Sequence, residues 1–336
     1  MTPTGTTVIT GRARAWAELL RVSALASVPG DALAGAATAG TRPGRGTLWA
    51  IGASLCLYEA GMALNDWADR DEDAAERPHR PLPSGRITPT AALAASAAMT
   101  ATGLGLASRA GRPALAVATA LATTVWAYDL GLKHTPAGPA TMATARALDL
   151  LLGATATTPT PRRAFRSLPS AALLGAHTYA VTAVSRHETH GGSTRTPLAA
   201  LAVTLTVAGT LTARTPHSPP PGPPAPRPRP TLPFPIPGTH PRTHPGRPHS
   251  SGRPRLGPRL GPLLALAYAR TPATLLLHAA LNPSAALTER AVGGGIRATI
   301  PLQAALAARA GATGTALGLL GLVPLARALA RKVSPT

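Results

Sequence analysis

The chain has 336 residues, of which 45% are hydrophobic and only 14% are charged, well below the roughly 25% of a soluble globular domain. A net charge of +20 suits a nucleic-acid-binding protein, but aromatic residues are scarce and many arginines lie in one Pro-rich tract, so we exclude a nucleic-acid partner. The single cysteine, Cys56, excludes an intrachain disulfide and a cysteine-based zinc site.

The first apolar run opens among basic residues and continues to about residue 40. Arg12, Arg14 and Arg21 precede or open it, and the excess of positive charge predicts that the N-terminus lies on the cytoplasmic side of a membrane. Glu18 and Asp31 are also charges within this run. Because lipid-facing charges are expensive, we expect Glu18, Arg21 and Asp31 to line an interior cavity.

Further apolar runs follow, each near the ~20 residues that cross a bilayer. They lie near 47–66, 88–108, 112–128, 138–157, 169–185, 197–213, 261–281, 290–309 and 312–330. The run at 290–309 is a poor span because it contains three glycines, Arg297 and Gln303. The pattern predicts an all-α, multi-pass bundle of about nine transmembrane helices, with ten left open, in the cell inner (cytoplasmic) membrane.

A Pro-, Arg- and His-rich tract at 214–260 interrupts the apolar runs. Its composition predicts a disordered extramembrane loop. We therefore expect residues 1–213 to form the first seven transmembrane helices, and residues 261–336 to form the last helices of the same domain.

An acidic motif follows the apolar run at 48–64. The nine residues 65–73, Asn-Asp-Trp-Ala-Asp-Arg-Asp-Glu-Asp, hold five of the 13 acidic residues in the chain. Asp66, Asp69 and Asp73 have helical spacing that places them on one face, where their charges repel. A hard divalent cation such as Mg²⁺, which usually arrives with substrate phosphates, would offset that repulsion.

The alternative for this motif is a solvated loop that caps a helix. We favour the metal site, because acidic residues are scarce elsewhere and Arg77, Arg80 and Arg86 follow at once, suited to binding phosphate. With a cytoplasmic N-terminus, the acidic motif and the loops near Lys133 and Glu188 all fall on the cytoplasmic side. The sequence thus predicts a site at that face.

The order Asn-Asp-x-x-Asp-x-x-x-Asp, then Arg-x-x-Arg-Pro-Leu-Pro-Ser-Gly-Arg, at 65–86 resembles the first signature of the UbiA prenyltransferase superfamily. The resemblance implies an all-helical membrane enzyme with a central cavity, which uses Mg²⁺ to bind an isoprenyl diphosphate and transfers the prenyl group to a small-molecule acceptor, often aromatic. The metal ligands that it implies are Asn65, Asp66, Asp69 and Asp73. The diphosphate-binding residues that it implies are Arg21, Arg77 and Arg80, together with Asn65.

The stretch 128–135 resembles the family's loop between helices four and five, where a tyrosine and a basic residue face the diphosphate. The resemblance assigns Tyr128 to substrate binding and adds Lys133 to the three aspartates as a catalytic group. From the residues alone, Lys133 is equally suited to anchoring a helix end at the membrane interface. The rings of Trp67 and Tyr128 either stabilise an allylic cation or anchor the interface.

The second signature departs from the family pattern. Where the family has another Asp-rich motif, residues 185–192 hold Glu188 with His187 and His190. One alternative is that Glu188 contributes to substrate binding, through Mg²⁺ with His190 in place of the missing aspartates, although histidine better suits zinc or iron. The other is that Glu188 is a polar loop residue. Arg146 and Asp149, one turn apart, are either an intramembrane ion pair or cavity residues.

The altered second motif, with 128–135 and the C-terminal 325–336, is most similar to the EboC-type branch, which is associated with secondary-metabolite handling and export. This resemblance implies the prenyltransferase as the first hypothesis. The alternative is a non-catalytic membrane protein that binds a prenyl or diphosphate lipid and assists metabolite transport.

Overall fold

The computed structural model of the chain describes residues 5–21, 27–158, 160–188, 191–213 and 257–324. These residues form thirteen α-helices and one 3₁₀ turn, Leu132–His134. In chain order the helices are α1 Gly5–Leu19, α2 Val28–Thr38, α3 Arg45–Ala68, α4 Arg70–Glu76, α5 Pro89–Ala110, α6 Arg112–Leu130, α7 Gly138–Thr157, α8 Pro161–Phe165, α9 Leu168–Ser185, α10 Arg195–Thr212, α11 Gly257–Leu281, α12 Ala285–Arg309 and α13 Thr313–Leu320. The predicted all-α class is confirmed.

The first apolar run is not one continuous helix, which corrects the prediction of a single element to residue 40. Helix α1 ends at Leu19, and Arg21 has a φ of +48°, in the left-handed region that ends helices. Helix α2 then begins with Pro29 in its first turn, where a residue without an N–H is tolerated. The run therefore supplies two helices.

Helices α2 and α7 approach so closely that their backbones touch. A Cβ atom added at Gly35 would lie 2.1 Å from the carbonyl oxygen of Leu150, and one at Gly153 would lie 2.4 Å from the backbone of Ala32. Small residues allow this distance between membrane helices, where packing rather than water exclusion drives association. The small residues of these runs thus allow α2 and α7 to pack in backbone contact.

A buried polar network joins four helices at the centre of the bundle. Arg146 Nε on α7 lies 3.0 Å from Asp31 Oδ2 on α2, and Gln303 Nε2 on α12 donates to Asp31 Oδ1 at 2.8 Å. Asp149 instead accepts a hydrogen bond from Ser54 on α3. Arg146 and Asp149 are therefore not paired with each other: each bonds to a different helix. Gln303, which made α12 a poor span by composition, is a core contact.

Three of the described helices are long and apolar enough to cross a membrane by length and composition, Arg45–Ala68, Pro89–Ala110 and Leu260–Leu281. Large apolar side chains on the later helices point outward, among them Leu205, Leu263 and Leu266. This outer surface suits lipid. The number of spans and the division at 214–260 stay predictions, because that tract lies outside the described residues apart from its last few positions.

Candidate active site at the acidic motif

The acidic motif spans the junction of α3 and α4. Asp66 lies in the last turn of α3, Asp69 caps the helix, and Asp73 lies in α4. Asp66 and Asp73 are only 4% and 2% exposed. Because ionised carboxylates are costly to bury unless they are paired, their partners define the site.

Three arginines neutralise the two buried carboxylates. Arg80 Nη1 lies 2.6 Å from Asp73 Oδ2 and 3.6 Å from Asp66 Oδ1, so one guanidinium bridges both groups. Arg77 Nη1 lies 3.4 Å from Asp73 Oδ1. Arg21 Nη2 reaches Asp66 Oδ1 at 3.1 Å from the turn after α1. The structure thus brings together the carboxylates and arginines that the sequence selected from two separate segments.

The fourth cation comes from the loop after α6. Lys133 Nζ lies 2.5 Å from Asp69 Oδ1 and donates to Asn65 Oδ1 at 3.3 Å. Asn65 Nδ2 in turn donates to Asp69 Oδ2 at 3.2 Å. The expected meeting of these two loops is confirmed, and Lys133 faces the motif rather than anchoring a helix end.

Other members of the expected set lie elsewhere. Arg86 contacts Glu18 at 2.6 Å, so Glu18 ties α1 to the loop instead of lining a cavity. The Trp67 ring is covered by the Arg70 guanidinium, whose Cζ lies 5.1 Å from the ring centroid. Tyr128 is half-buried at the end of α6.

A possible cation-binding group differs from the predicted one. Among the described side chains, Asp69, Glu72 and His134 offer ligand atoms that all lie within 4.8 Å of one another. Sequence reasoning missed Glu72, although it follows Asp69 by one helical turn, and it missed His134, which only the fold brings near. Asp66 and Asp73 have their shared cation, Arg80, between them. The oxygen donors of both groups are of the type that Mg²⁺ prefers.

Asp129, within the stretch 128–135, is a further buried group to which the sequence analysis assigns no role. It is buried in the last turn of α6, four residues before Lys133. Its carboxyl interacts electrostatically with Lys133, Asp69 and Arg21. The i, i+4 spacing to Lys133 is the signal that could have found it.

The altered second motif lies at the same end of the bundle. Burial raises the pKa of the Glu188 carboxyl, the Glu289 carboxylate raises it further, and Arg77 lowers it. Arg186, at the end of α9, donates to the Thr135 carbonyl in the Lys133 loop. The third loop therefore meets the other two, as expected. His190 and the stretch 325–336 lie outside the described residues.

Known proteins resemble this chain in sequence and fold. The digeranylgeranylglyceryl phosphate synthase of Methanopyrus kandleri is 35% identical over 128 residues, 37% of this chain and 45% of that protein. That of Methanothrix thermoacetophila is 38% identical over 120 residues, 35% of this chain and 45% of that protein. The chain thus matches less than half the length of these curated relatives.

A solved structure from a study of digeranylgeranylglyceryl phosphate synthase in membranes covers 89% of this chain and 98% of its own, with a TM-score of 0.57 and 15% identity. At that identity the likeness concerns the fold alone. The EboC-type assignment stays a prediction. The model of the UbiA prenyltransferase family matches residues 25–215, more than half of the sequence. The chain is a membrane protein that belongs to the UbiA prenyltransferase family.

Proposed function

We propose that this chain is an integral membrane prenyltransferase, which binds an isoprenyl diphosphate with Mg²⁺ and transfers the prenyl group to a small-molecule acceptor. One observation carries the proposal: Lys133 and three arginines converge on Asp66, Asp69 and Asp73 at one end of an apolar bundle. The basic N-terminal segment supports placing this end on the cytoplasmic side of the cytoplasmic membrane.

The carboxylates of Asp66, Asp69 and Asp73 and the Asn65 amide oxygen are suited to hold Mg²⁺. Glu72 is available beside Asp69. When bound, the metal would supply charge neutralisation for the diphosphate. Lys133 and the three arginines are paired to these carboxylates, and with the carboxylates neutralised by the metal they would be available to the substrate.

The role of the cations follows from where charge develops. In the reaction the bond between the prenyl C1 and the diphosphate oxygen breaks, and its electron pair leaves with the diphosphate. Lys133, Arg77 and Arg80 donate hydrogen bonds to the diphosphate oxygens, and Arg21 does so from the opposite segment. Such donors lower the barrier because the negative charge grows as the bond breaks. The apolar helices exclude water, which would otherwise trap the allylic cation.

The names of the relatives suggest the first substrates to test. Digeranylgeranylglyceryl phosphate contains two geranylgeranyl groups on a glyceryl phosphate, so its synthesis joins a prenyl group to a hydroxyl oxygen. We propose a polyprenyl diphosphate as donor and a hydroxyl-bearing lipid as the first acceptor class. Aromatic and secondary-metabolite acceptors form the second class.

The test compares two aspartates of the same motif. Purified protein in lipid nanodiscs receives labelled geranylgeranyl diphosphate, Mg²⁺ and either geranylgeranylglyceryl phosphate or a hydroxybenzoate. Asp66→Asn should abolish transfer, because Asp66 is buried in the site. Asp71→Asn should retain it, because the Asp71 side chain is 86% exposed and its ion pair among the described residues is with Arg70, outside the site. Equal activity of the two variants would contradict the assigned site.

A non-catalytic lipid-binding protein is the second candidate. Glu188 is the only carboxylate of 185–188, where the family has its second Asp-rich motif, and this difference favours a changed activity. Tight, Mg²⁺-dependent binding of the donor, without diphosphate release with either acceptor class, would support this candidate over the enzyme.

A further inference from the structure

We propose that Glu59 binds the hydrogen-bond-donating group of the acceptor and takes its proton during transfer. The inference rests on the proposed prenyltransferase function and extends it to the acceptor. It assigns a role to a carboxyl group that the acidic motif does not include.

Glu59 lies on α3, below the acidic motif. It precedes Asp66 by seven residues, two helical turns, so the two side chains leave nearly the same face of the helix. The rise per residue places Glu59 about 10 Å further along the axis, toward the interior of the bundle. Tyr58, next to it, interacts electrostatically with Arg21 of the site and with Arg146 of the core network. This turn of α3 therefore lies between the two polar regions.

The carboxyl group of Glu59 is buried and unpartnered. Its residue is 9% exposed, and neither Oε1 nor Oε2 has a hydrogen-bond partner among the described residues. Asp31 and Asp149, by contrast, bond to side chains of other helices, and Asp66 and Asp73 share Arg80.

A buried acidic group without a partner is expensive, and in a membrane helix it marks a functional position by default. A purely structural acid would be paired, as Asp31 and Asp149 are in this bundle. The two free oxygens of Glu59 are therefore available to a ligand.

The depth of Glu59 matches the expected place of the acceptor. With the diphosphate bound by Arg77, Arg80 and Lys133 at this end of the bundle, the prenyl chain extends into the apolar interior, and its C1 lies next to the diphosphate on that side. The acceptor hydroxyl oxygen must lie beside C1. Its oxygen forms the new bond to C1 while the C1–O bond to the diphosphate breaks, and the hydroxyl proton passes to the Glu59 carboxylate. Diphosphate carries away the electron pair.

The experiment separates acceptor chemistry from donor binding. Protein in nanodiscs is given labelled geranylgeranyl diphosphate, Mg²⁺ and geranylgeranylglyceryl phosphate or a hydroxybenzoate. Glu59→Gln preserves size but not basicity, so transfer should fall about 100-fold or more, as for the loss of a general base. The donor dissociation constant should stay unchanged, and Glu59→Asp should recover part of the rate. Glu76→Gln, an exposed carboxyl change on α4, is the matched control.

Two results overturn the inference, and they can be told apart. Transfer by Glu59→Gln at the wild-type rate, or a fall in donor binding that accounts for the lost rate, would show that Glu59 does not act on the acceptor. A wild-type protein that binds the donor but transfers it to neither acceptor would instead overturn the proposed function, and this inference with it.

Discussion

Lys133 Nζ lies 2.5 Å from Asp69 Oδ1, and this ion pair joins the loop after α6 to the end of α3. The Lys133 side chain is only 8% exposed, and the chain has just one other lysine, Lys332. The Asp69 carboxylate is one of the proposed Mg²⁺ ligands. With that carboxylate bound to a divalent cation, the compact Lys133 ammonium group would be free to donate a hydrogen bond to a phosphate oxygen. The pair therefore supports Lys133 as a donor-binding residue.

Replacing Lys133 with methionine should weaken binding of geranylgeranyl diphosphate by roughly 10- to 100-fold, because a charge-assisted hydrogen bond to the ligand is lost. The measurement is equilibrium binding of the labelled donor in nanodiscs with Mg²⁺. Arg109→Gln is the control, since it also removes one positive charge but stacks on Trp49 at the far end of α5. Equal losses in the two variants would indicate a general charge effect.

The fold class and part of the site could be predicted because both depend on local patterns. Apolar runs separated by polar loops gave the all-α class, and helical spacing predicted one face for Asp66, Asp69 and Asp73. Asp66 and Asp73 do share Arg80, whereas Asp69, at the junction of α3 and α4, pairs with Lys133. Counting helices across a membrane placed the Lys133 loop on the same side as the acidic motif, and the family resemblance implied its contact with the site. The helical class, the spacing of the aspartates and the shared side of the loops need only the order of residues and segments along the chain.

Contacts between helices distant in sequence could not be predicted in the same way. Arg146 was compared with Asp149, its neighbour one turn away, but its partner is Asp31 on α2. The partner of Arg146 depends on which helices lie side by side. The close approach of α2 and α7 at Gly35 brings Asp31 within reach of Arg146. His134 joins Asp69 for the same reason.

Arg80 and a divalent cation should compete for the same carboxylates. Arg80→Gln leaves Asp66 and Asp73 without their shared cation, so the variant should melt at a lower temperature than wild type in the absence of metal. Added Mg²⁺ should then raise its melting temperature more than that of wild type, since ligand binding to the folded state stabilises by mass action. Differential scanning fluorimetry in detergent measures both.

Arg86→Gln is the matched control for this comparison, because Arg86 pairs with Glu18 and contacts neither aspartate. It should show the wild-type response to Mg²⁺. If Arg80→Gln gains no more from Mg²⁺ than Arg86→Gln does, then Asp66 and Asp73 do not bind the metal.

Glu188 should make stability depend on pH. Burial and Glu289 raise the pKa of its carboxyl above the ordinary value of 4.5, so the folded protein holds the proton more tightly than the unfolded chain does. Its contribution to stability is thus present below pH 4.5 and is lost as the pH rises through the folded-state pKa. Glu188→Gln should therefore raise the melting temperature at pH 8 and leave it nearly unchanged at pH 4, measured without Mg²⁺ or substrate.

The control for pH is Glu76→Gln, because Glu76 is exposed on α4. Its change in melting temperature relative to wild type should differ much less between pH 8 and pH 4 than that of Glu188→Gln. A melting temperature of Glu188→Gln that is lower than wild type at pH 8 would show instead that the ionised carboxylate makes a stabilising contact, with Arg77 as the first candidate.

The contact between α2 and α7 should be sensitive to a single methyl group. Gly35→Ala places a Cβ atom 2.1 Å from the carbonyl oxygen of Leu150, and since that atom belongs to the backbone, the helices must separate. We expect a loss of about 1–3 kcal/mol in the free energy of unfolding, as for overpacked cores. Gly105→Ala on α5 is the control: its added Cβ meets nothing within 4 Å, so greater helix propensity should stabilise by up to about 1 kcal/mol. The same contact brings Asp31 on α2 to Arg146 on α7. In a detergent unfolding assay, changes of opposite sign in the free energy of unfolding for the two variants would confirm that the close approach at Gly35 stabilises the core. Equal changes would contradict it.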